Sequence, residues 1–359
     1  MTASPALAGA FAVLERCVAD GLVPGAAAAV GTANETLHRG HFGCAEITPH
    51  RRLLEDDALF DVASLTKVVA TTTVLLRFVE RGQLYLRQRV ASLLPGFGAA
   101  GKDEVTLRHL LAHTSGLPAW KDLHSHGEDR AAVLAAICRE PLERPADSAA
   151  VYSDLGFITL GAVLAAVGGA PLDVLAGREV FGPLGMAGAR FCPTGAARGR
   201  CVATEVVPGR GGSLVGTVHD ENAAAQAGVS GHAGLFATCR DLERFCRMWL
   251  GMGALEGVRY LSAASVAAAT RDQTGIGQGR GLGWVLQPNP FAVPADLCSP
   301  RAYSHTGFTG TSLLLDPGLG VFAVLLTNRV HPSRGEGSAE RVRAVRARFH
   351  NAVWAAVAR

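Results

Sequence analysis

No Gly-x-Ser-x-Gly segment occurs anywhere in the 359 residues, and no two cysteines stand in Cys-x-x-Cys spacing. The first absence argues against an α/β-hydrolase, whose nucleophilic serine sits in that glycine-flanked elbow. The second leaves Cys17, Cys44, Cys138, Cys192, Cys201, Cys239, Cys246 and Cys298 as dispersed thiols, read as buried and reduced, with Cys239 and Cys246 as core positions of one helix. A long basic run is also missing. The 34 basic and 31 acidic residues are scattered and give a net charge of +3, so no nucleic-acid surface is expected. The locally basic segment Arg341–Arg348 fits the solvated side and last turns of a terminal helix. No apolar stretch is long enough to span a bilayer; residues 149–170 come nearest, but Asp154 and several glycines interrupt them. The first residues lack an early positive region, and Glu15 and Arg16 interrupt their apolar pattern. They predict an amphipathic helix ending near Gly21 and a cytoplasmic protein.

What is present is a large globular composition, 48% hydrophobic and 18% charged, with no internal repeat. Residues 26–31 and 36–42 read as strands around a turn at Ala33-Asn34. Helical spacing predicts helices over 64–81, 105–113, 130–139, 155–167 and 171–180. Residues 185–231 are rich in Gly and Arg and show little periodicity, the mark of a functional or partly disordered segment. Further helices are expected at 241–250 and 262–270. Strands follow at 282–287, 302–306, 311–316 and 321–327, then a terminal helix at 338–357. Short turns between the late strands favour antiparallel pairing. The fold class is α+β: one sheet built from both chain ends and flanked by helices, with a mostly α subdomain inserted. The expected division is an α/β subdomain over 1–63 and 232–359 and an α subdomain over 64–231, within a single domain.

Ser64-Leu65-Thr66-Lys67 opens the first long helical pattern. Residues at i and i+3 share a helix face, so the Lys67 amine can reach the Ser64 oxygen near a positive helix terminus. A serine needs such a base to become nucleophilic. Alone, these four residues also read as an N-cap serine with an exposed lysine. Tyr152-Ser153-Asp154 opens another predicted helix, where a phenol beside cations can shuttle a proton. By itself the segment equally fits a buried tyrosine above an Asp N-cap. Ser304-His305-Thr306-Gly307-Phe308 lies on a late strand, whose edge can align a substrate and offer an N–H to an oxyanion.

The order and separation of these three clusters resemble the serine β-lactamase and penicillin-binding-protein superfamily, in particular its class C β-lactamase-related esterases and D-amino-acid peptidases. Residues 109–118 (HLLAHTSGLP), 231–238 (GHAGLFAT) and 326–329 (LTNR) carry the same resemblance. It implies a β-lactamase/transpeptidase-like fold, with Ser64 as acylated nucleophile, Lys67 assisting its deprotonation and Tyr152 as general base, then acid. It also implies an oxyanion hole from the backbone N–H groups of Ser64 and Phe308, and substrate contacts from Asp154, His305, Thr306 and Gly307. Whether Lys67 or Tyr152 takes the first proton stays open. No cofactor is implied.

Two departures bear on substrate. Asp154 stands where many relatives carry Asn, and a carboxylate accepts hydrogen bonds but cannot donate them. His305 stands where the family often has lysine, and a histidine is mostly neutral at pH 7. Both favour neutral esters or amides. The expected partners are thus small-molecule esters, amides or β-lactams, with neither nucleic acid nor membrane. A D-Ala-D-Ala carboxypeptidase or β-lactamase is the alternative within this chemistry, and a silent binding or scaffold protein the alternative outside it. His219-Asp220-Glu221 with His232 is a potential zinc-ligand set, but its spacing favours loop structuring or cleft contacts. Trp120 and His124 read as rim residues, His109 and His113 as caps at a helix end, and Asn328 and Arg329 as a buttress.

Overall fold

Strand Gly25–Gly31 and strand Val321–Thr327 pair antiparallel at the heart of a seven-stranded sheet, joining the two ends of the chain. The computed structural model describes residues 5–126, 129–207 and 212–357. Across the sheet the order is Val285–Leu286, Tyr303–Thr306, Ser312–Asp316, Val321–Thr327, Gly25–Gly31, Thr36–Glu46 and Arg52–Leu53, with every pair antiparallel. Successive strand residues face opposite sides, and here both sides are covered. Ala27, Ala29, Leu313, Leu315, Val324 and Leu326 join the core that holds the Ser64 segment and helix Cys239–Leu250. Ala26, Ala28, Val30, Leu314, Ala323 and Leu325 pack against helices Pro5–Ala19 and Ser338–Val357 through Phe11, Leu14, Val345, Phe349 and Trp354. A strand buried on both faces reads as a continuous apolar run. Each such Leu, Val or Phe contributes about 1.5–3 kcal/mol.

The expected sheet from both chain ends is therefore present, flanked by helices. The helices at 130–139 and 338–357 also lie where expected. Other elements differ. The single helix predicted over 64–81 is a tight turn at Ala63–Leu65, wider i→i+5 turns over Lys67–Thr72, and an α-helix only from Thr73 to Glu80. The Thr73 hydroxyl donates to the Val68 carbonyl five residues back, at 2.8 Å. That bond supports the wider winding around the nucleophile segment. The strand predicted at 282–287 shrinks to Val285–Leu286. Before it, Gly281 and Trp284 close a tight turn (2.9 Å) with Gly283 at positive φ.

A second sheet of three strands was not predicted. It joins Phe60–Asp61, Leu235–Ala237 and Arg190–Phe191, each too short to display alternation in sequence. It fixes the chain immediately before Ser64 against the 231–238 segment. The 185–231 stretch also contains short helices at Gly195–Gly199 and Glu221–Ala224 and a hairpin from Val206–Val207 to Gly212–Ser213. Residues 208–211 of that call lie outside the described residues.

Two expectations need correction. Cys192 is exposed and Cys138 and Cys298 are half-buried, whereas the other five thiols, Cys239 and Cys246 included, are buried. Cys192 departs because it follows a strand of only two residues, where the chain leaves the core at positive φ. The arginines at 341–348 lie in the early and middle turns of helix Ser338–Val357, not in its last turns. Arg341, Arg343 and Arg348 face solvent, but Arg346 turns inward to donate to the Gly307 and Thr311 carbonyls at 3.1 and 2.7 Å. No single described helix is long and apolar enough to cross a membrane. The most apolar pair, Asp154–Gly168 and Leu172–Leu184, is bent by 75°.

Candidate active site

Ser64 owes its position to the residue before it. Ala63 has φ +49°, a strained conformation for a residue with a side chain. The strain is held by Asp61, whose buried carboxylate accepts the Ala63 N–H at 2.9 Å and the His219 N–H at 2.8 Å. Thr309 and Thr311, beyond the His305 strand, donate to the Asp61 and Val62 carbonyls at 2.7 and 3.0 Å. This docks that strand directly on the Ser64 turn. Gly307 is required at the join, since a Cβ there would lie 2.1 Å from the Thr311 hydroxyl and 2.5 Å from the Val62 carbonyl oxygen.

One turn on, Lys67 is completely buried, which removes the reading of an N-cap serine beside an exposed lysine. Its Nζ lies 3.0 Å from Ser64 Oγ, 3.2 Å from the His232 carbonyl oxygen and 2.7 Å from Asp154 Oδ1. Burial alone would depress this amine, but the paired Asp154 carboxylate, helped by Tyr152, outweighs it and holds the ammonium above the usual lysine range. The Lys67 ammonium stands 4.8 Å from the Tyr152 ring centroid, and both Lys67 and Ser64 act on the Tyr152 phenol. Burial pushes the phenol up, and Lys67 opposes that shift without cancelling it.

Tyr152 is seated by a histidine expected only as a helix cap. His113 Nδ1 accepts the Ser153 N–H at 3.0 Å, and its ring lies 4.6 Å from that of Tyr152. His109 is a true cap: its Nδ1 accepts the Thr106 N–H at 3.1 Å. Ser153, not Asp154, caps helix Asp154–Gly168, its hydroxyl accepting from Gly156 N–H. Asp154 is consequently free to pair with Lys67, while it also lines the cavity.

The cavity has a volume of about 630 Å³ and gathers Ser64, Tyr152, Asp154, His305, Thr306, Gly307 and Phe308, with Trp120 and His124 at its rim. His305 Nδ1 donates to the Thr306 carbonyl at 2.9 Å. Its Nε2 is therefore a bare acceptor, and burial with nearby Lys67 and Arg280 pushes the imidazole down to about 3. The Phe308 N–H has no acceptor among the described residues. Its carbonyl takes Arg329 Nε at 2.6 Å, and the Arg329 guanidinium also lies 4.4 Å from the Phe308 ring. Asn328 ties strand ends together through Gly25 N–H and the Cys44 and Ala45 carbonyls. Asn328 buttresses the site from outside it, whereas Arg329 does so from within the cavity lining.

The residues considered for zinc separate. His219 pairs with Glu205 at 3.0 Å and stacks on Phe308. Asp154, Asp220 and His232 do bring ligand atoms within 4.8 Å of one another. Those atoms already have partners: Lys67 holds Asp154, and His232 Nε2 meets Asp220 Oδ1 at 2.8 Å. The cluster reads as an ion-paired network behind Lys67. Burial raises Asp220, but His232 outweighs it and keeps the carboxyl well below its usual range.

Sequence reasoning missed Arg280, Phe291 and the inward turn of Arg346, all of which line the cavity. For Arg280 a signal existed: it is the one charge in the glycine-rich run 275–283. Chemically the arrangement offers an oxygen nucleophile on an ammonium, a phenol beside that ammonium, and the unused Phe308 N–H in the lining of the same cavity.

The family model described as Beta-lactamase matches residues 11–348. An Escherichia coli (strain K12) protein named as a candidate D-alanyl-D-alanine carboxypeptidase is 31% identical over 333 residues, covering 83% of this chain and 76% of that protein. The N-acetylmuramyl-L-alanine amidase of Bacillus subtilis (strain 168) is 29% identical over 361 residues, covering 89% and 80%. Among solved structures, a penicillin-binding protein homologue from Caulobacter crescentus superposes with a TM-score of 0.78 at 23% identity, over 99% of each chain.

Proposed function

The chain belongs to the beta-lactamase family of serine hydrolases, and on that footing we propose that Ser64 is its acylated nucleophile and that its acyl donors are esters or small amides. The observation that carries the reading is the contact of Ser64 Oγ with a buried, acid-paired ammonium, 3.0 Å away. Because Asp154 holds Lys67 protonated, Tyr152 is the member of the pair able to accept the serine proton, as the phenolate whose burial cost the adjacent cation partly offsets. Ser64 Oγ bonds to the substrate carbonyl carbon, and the oxyanion is received by the Ser64 and Phe308 N–H groups. Such donors contribute roughly 3–4 kcal/mol each toward the transition state. Tyr152 then returns its proton to the departing alcohol or amine, and water cleaves the acyl-enzyme by the reverse route.

Asp154 and neutral His305 support ester or simple amide donors, since neither presents a cation to a substrate. A second reading, cleavage of D-amino-acid peptides or muramyl amides, is favoured by the names of the two relatives. The test is intact-mass detection of acylation with p-nitrophenyl acetate, nitrocefin and a D-Ala-D-Ala peptide, with Ser64→Ala as control. Ester turnover that survives Ser64→Ala sinks the mechanism. Nitrocefin or peptide turnover without ester turnover replaces the substrate reading and leaves the nucleophile in place.

A further inference from the structure

One residue beside Tyr152 occupies a backbone position that suits glycine. Helix Leu107–Leu111 ends in a double turn, in which the Thr114 N–H reaches back to the His109 carbonyl at 2.8 Å and the His113 N–H to that of Leu110 at 3.3 Å. The residue that enters the left-handed region in such a turn is usually glycine, because a Cβ is strained there. Here it is His113, at φ +59°. Ending the helix therefore gives no reason for an imidazole, and the strain has to be offset by something the side chain does.

The ring acts on the chain that carries Tyr152. His113 accepts a hydrogen bond from each neighbour of the tyrosine: its carbonyl takes the Val151 N–H at 2.8 Å, and its Nδ1 takes the Ser153 N–H at 3.0 Å. The imidazole centroid lies 4.6 Å from that of the Tyr152 ring and 5.1 Å from that of Phe157, on the helix that follows. Burial, with Arg280 and Lys67 nearby, pushes His113 well below its usual value. A neutral ring whose proton sits on Nε2 keeps the Nδ1 lone pair that the Ser153 N–H requires. The same turn holds the next residues too, through Ser153 Oγ to the Pro118 carbonyl at 2.6 Å and Asp154 N–H to that of Ala119 at 2.9 Å.

We propose that His113 is a positioning residue for the reaction, bracketing the Tyr152 peptide so that the phenol takes the Ser64 proton and delivers it to the departing alcohol or amine. This rests on the acid–base role given to Tyr152 above. His113 touches neither the substrate nor the transferred proton. Its effect is geometric, because proton transfer tolerates little displacement of the group that performs it.

The test is a double-mutant cycle on the rate of Ser64 acetylation by p-nitrophenyl acetate, with kcat and KM measured alongside. His113→Phe keeps a ring and removes the acceptor. It is expected to lower the acetylation rate and kcat on the order of 10–100-fold while KM stays within about 3-fold. His113→Asn is expected to recover most of that loss, since its amide oxygen stands as many bonds from the backbone as Nδ1 and asparagine tolerates positive φ. In a Tyr152→Phe background, His113→Phe is expected to cost less than about 3-fold, because its effect runs through the phenol. Equal losses in both backgrounds, an unchanged rate where Tyr152 is present, or no recovery in His113→Asn overturns the proposal. A Tyr152→Phe protein as fast as wild type instead defeats the acid–base reading of Tyr152, and the role of His113 falls with it. Should His113→Phe fail to fold, nitrogen-15 NMR of the wild-type imidazole, assigned through its contact with the Tyr152 ring, still decides. An unprotonated Nδ1 across about pH 5–9 is expected, and a proton on Nδ1 overturns the bracket.

Discussion

Lys67 Nζ lies closer to Asp154 Oδ1, at 2.7 Å, than to Ser64 Oγ, at 3.0 Å. The residue that departs from the common Asn of the tyrosine motif thus opposes the effect of burial on the lysine beside the nucleophile.

The first prediction concerns pH and activity. With Lys67 held as an ammonium and the Tyr152 phenol raised by burial, ester kcat/KM should climb with pH well above neutrality. Asp154→Asn removes the carboxylate and leaves burial to lower the amine, so Lys67 becomes the more available base. The ascending limb should move to lower pH, with a reduced plateau. A profile identical to wild type would remove Asp154 from the mechanism. Because it strips the partner from a fully buried cation, the same variant should lose about 3 kcal/mol of stability by urea titration.

Arg329 clamps the Phe308 peptide from behind through its carbonyl, at 2.6 Å. Loosening the clamp misplaces an N–H meant for the oxyanion without touching the substrate. Arg329→Met should therefore lower kcat by roughly 10–100-fold and change KM little. A rise in KM at constant kcat would make Arg329 a binding residue instead.

Gly231 lies against helix Asp154–Gly168, where a Cβ would stand 1.9 Å from the Phe157 carbonyl oxygen. Its own carbonyl takes the Thr71 hydroxyl at 2.6 Å. Gly231→Ala should cost about 3 kcal/mol or more and shift the adjacent His232 carbonyl that holds Lys67. Chemical denaturation reads the first effect and acylation rate the second. A variant of wild-type stability would contradict the packing described here.

Stability should also depend on pH in a defined window. Burial pushes His305 down to about 3 and His350 down to about 4. Both are neutral in the fold, while the unfolded chain protonates them near their ordinary value of about 6.5. The unfolded state then binds more protons, so stability is full above about pH 6.5 and falls as pH drops toward the folded values. Each histidine contributes a slope of up to about 1.4 kcal/mol per pH unit. His350→Gln should flatten the dependence of the urea midpoint between pH 6.5 and 4. A midpoint constant across that range in the wild type would refute the assignment.

The sequence by itself determined the elements whose apolar pattern is long enough to read: the strands near 26–31 and 321–327, the helices at 130–139 and 338–357, and the Ser64, Tyr152 and His305 segments as a set. Those depend on local periodicity and on side chains whose chemistry is visible in a few letters. Only the tertiary structure decided what depends on approach from elsewhere in the chain. The two-residue strands that fix Ala63 carry no period of their own. Lys67 reads the same in sequence whether exposed or buried, and its burial against Asp154 arises from packing two helices together. Arg280 stands out in sequence as the one charge in a glycine run, but only folding sets it between the Tyr152 and Phe291 rings, because pairing is a property of three-dimensional neighbours that chain order does not encode.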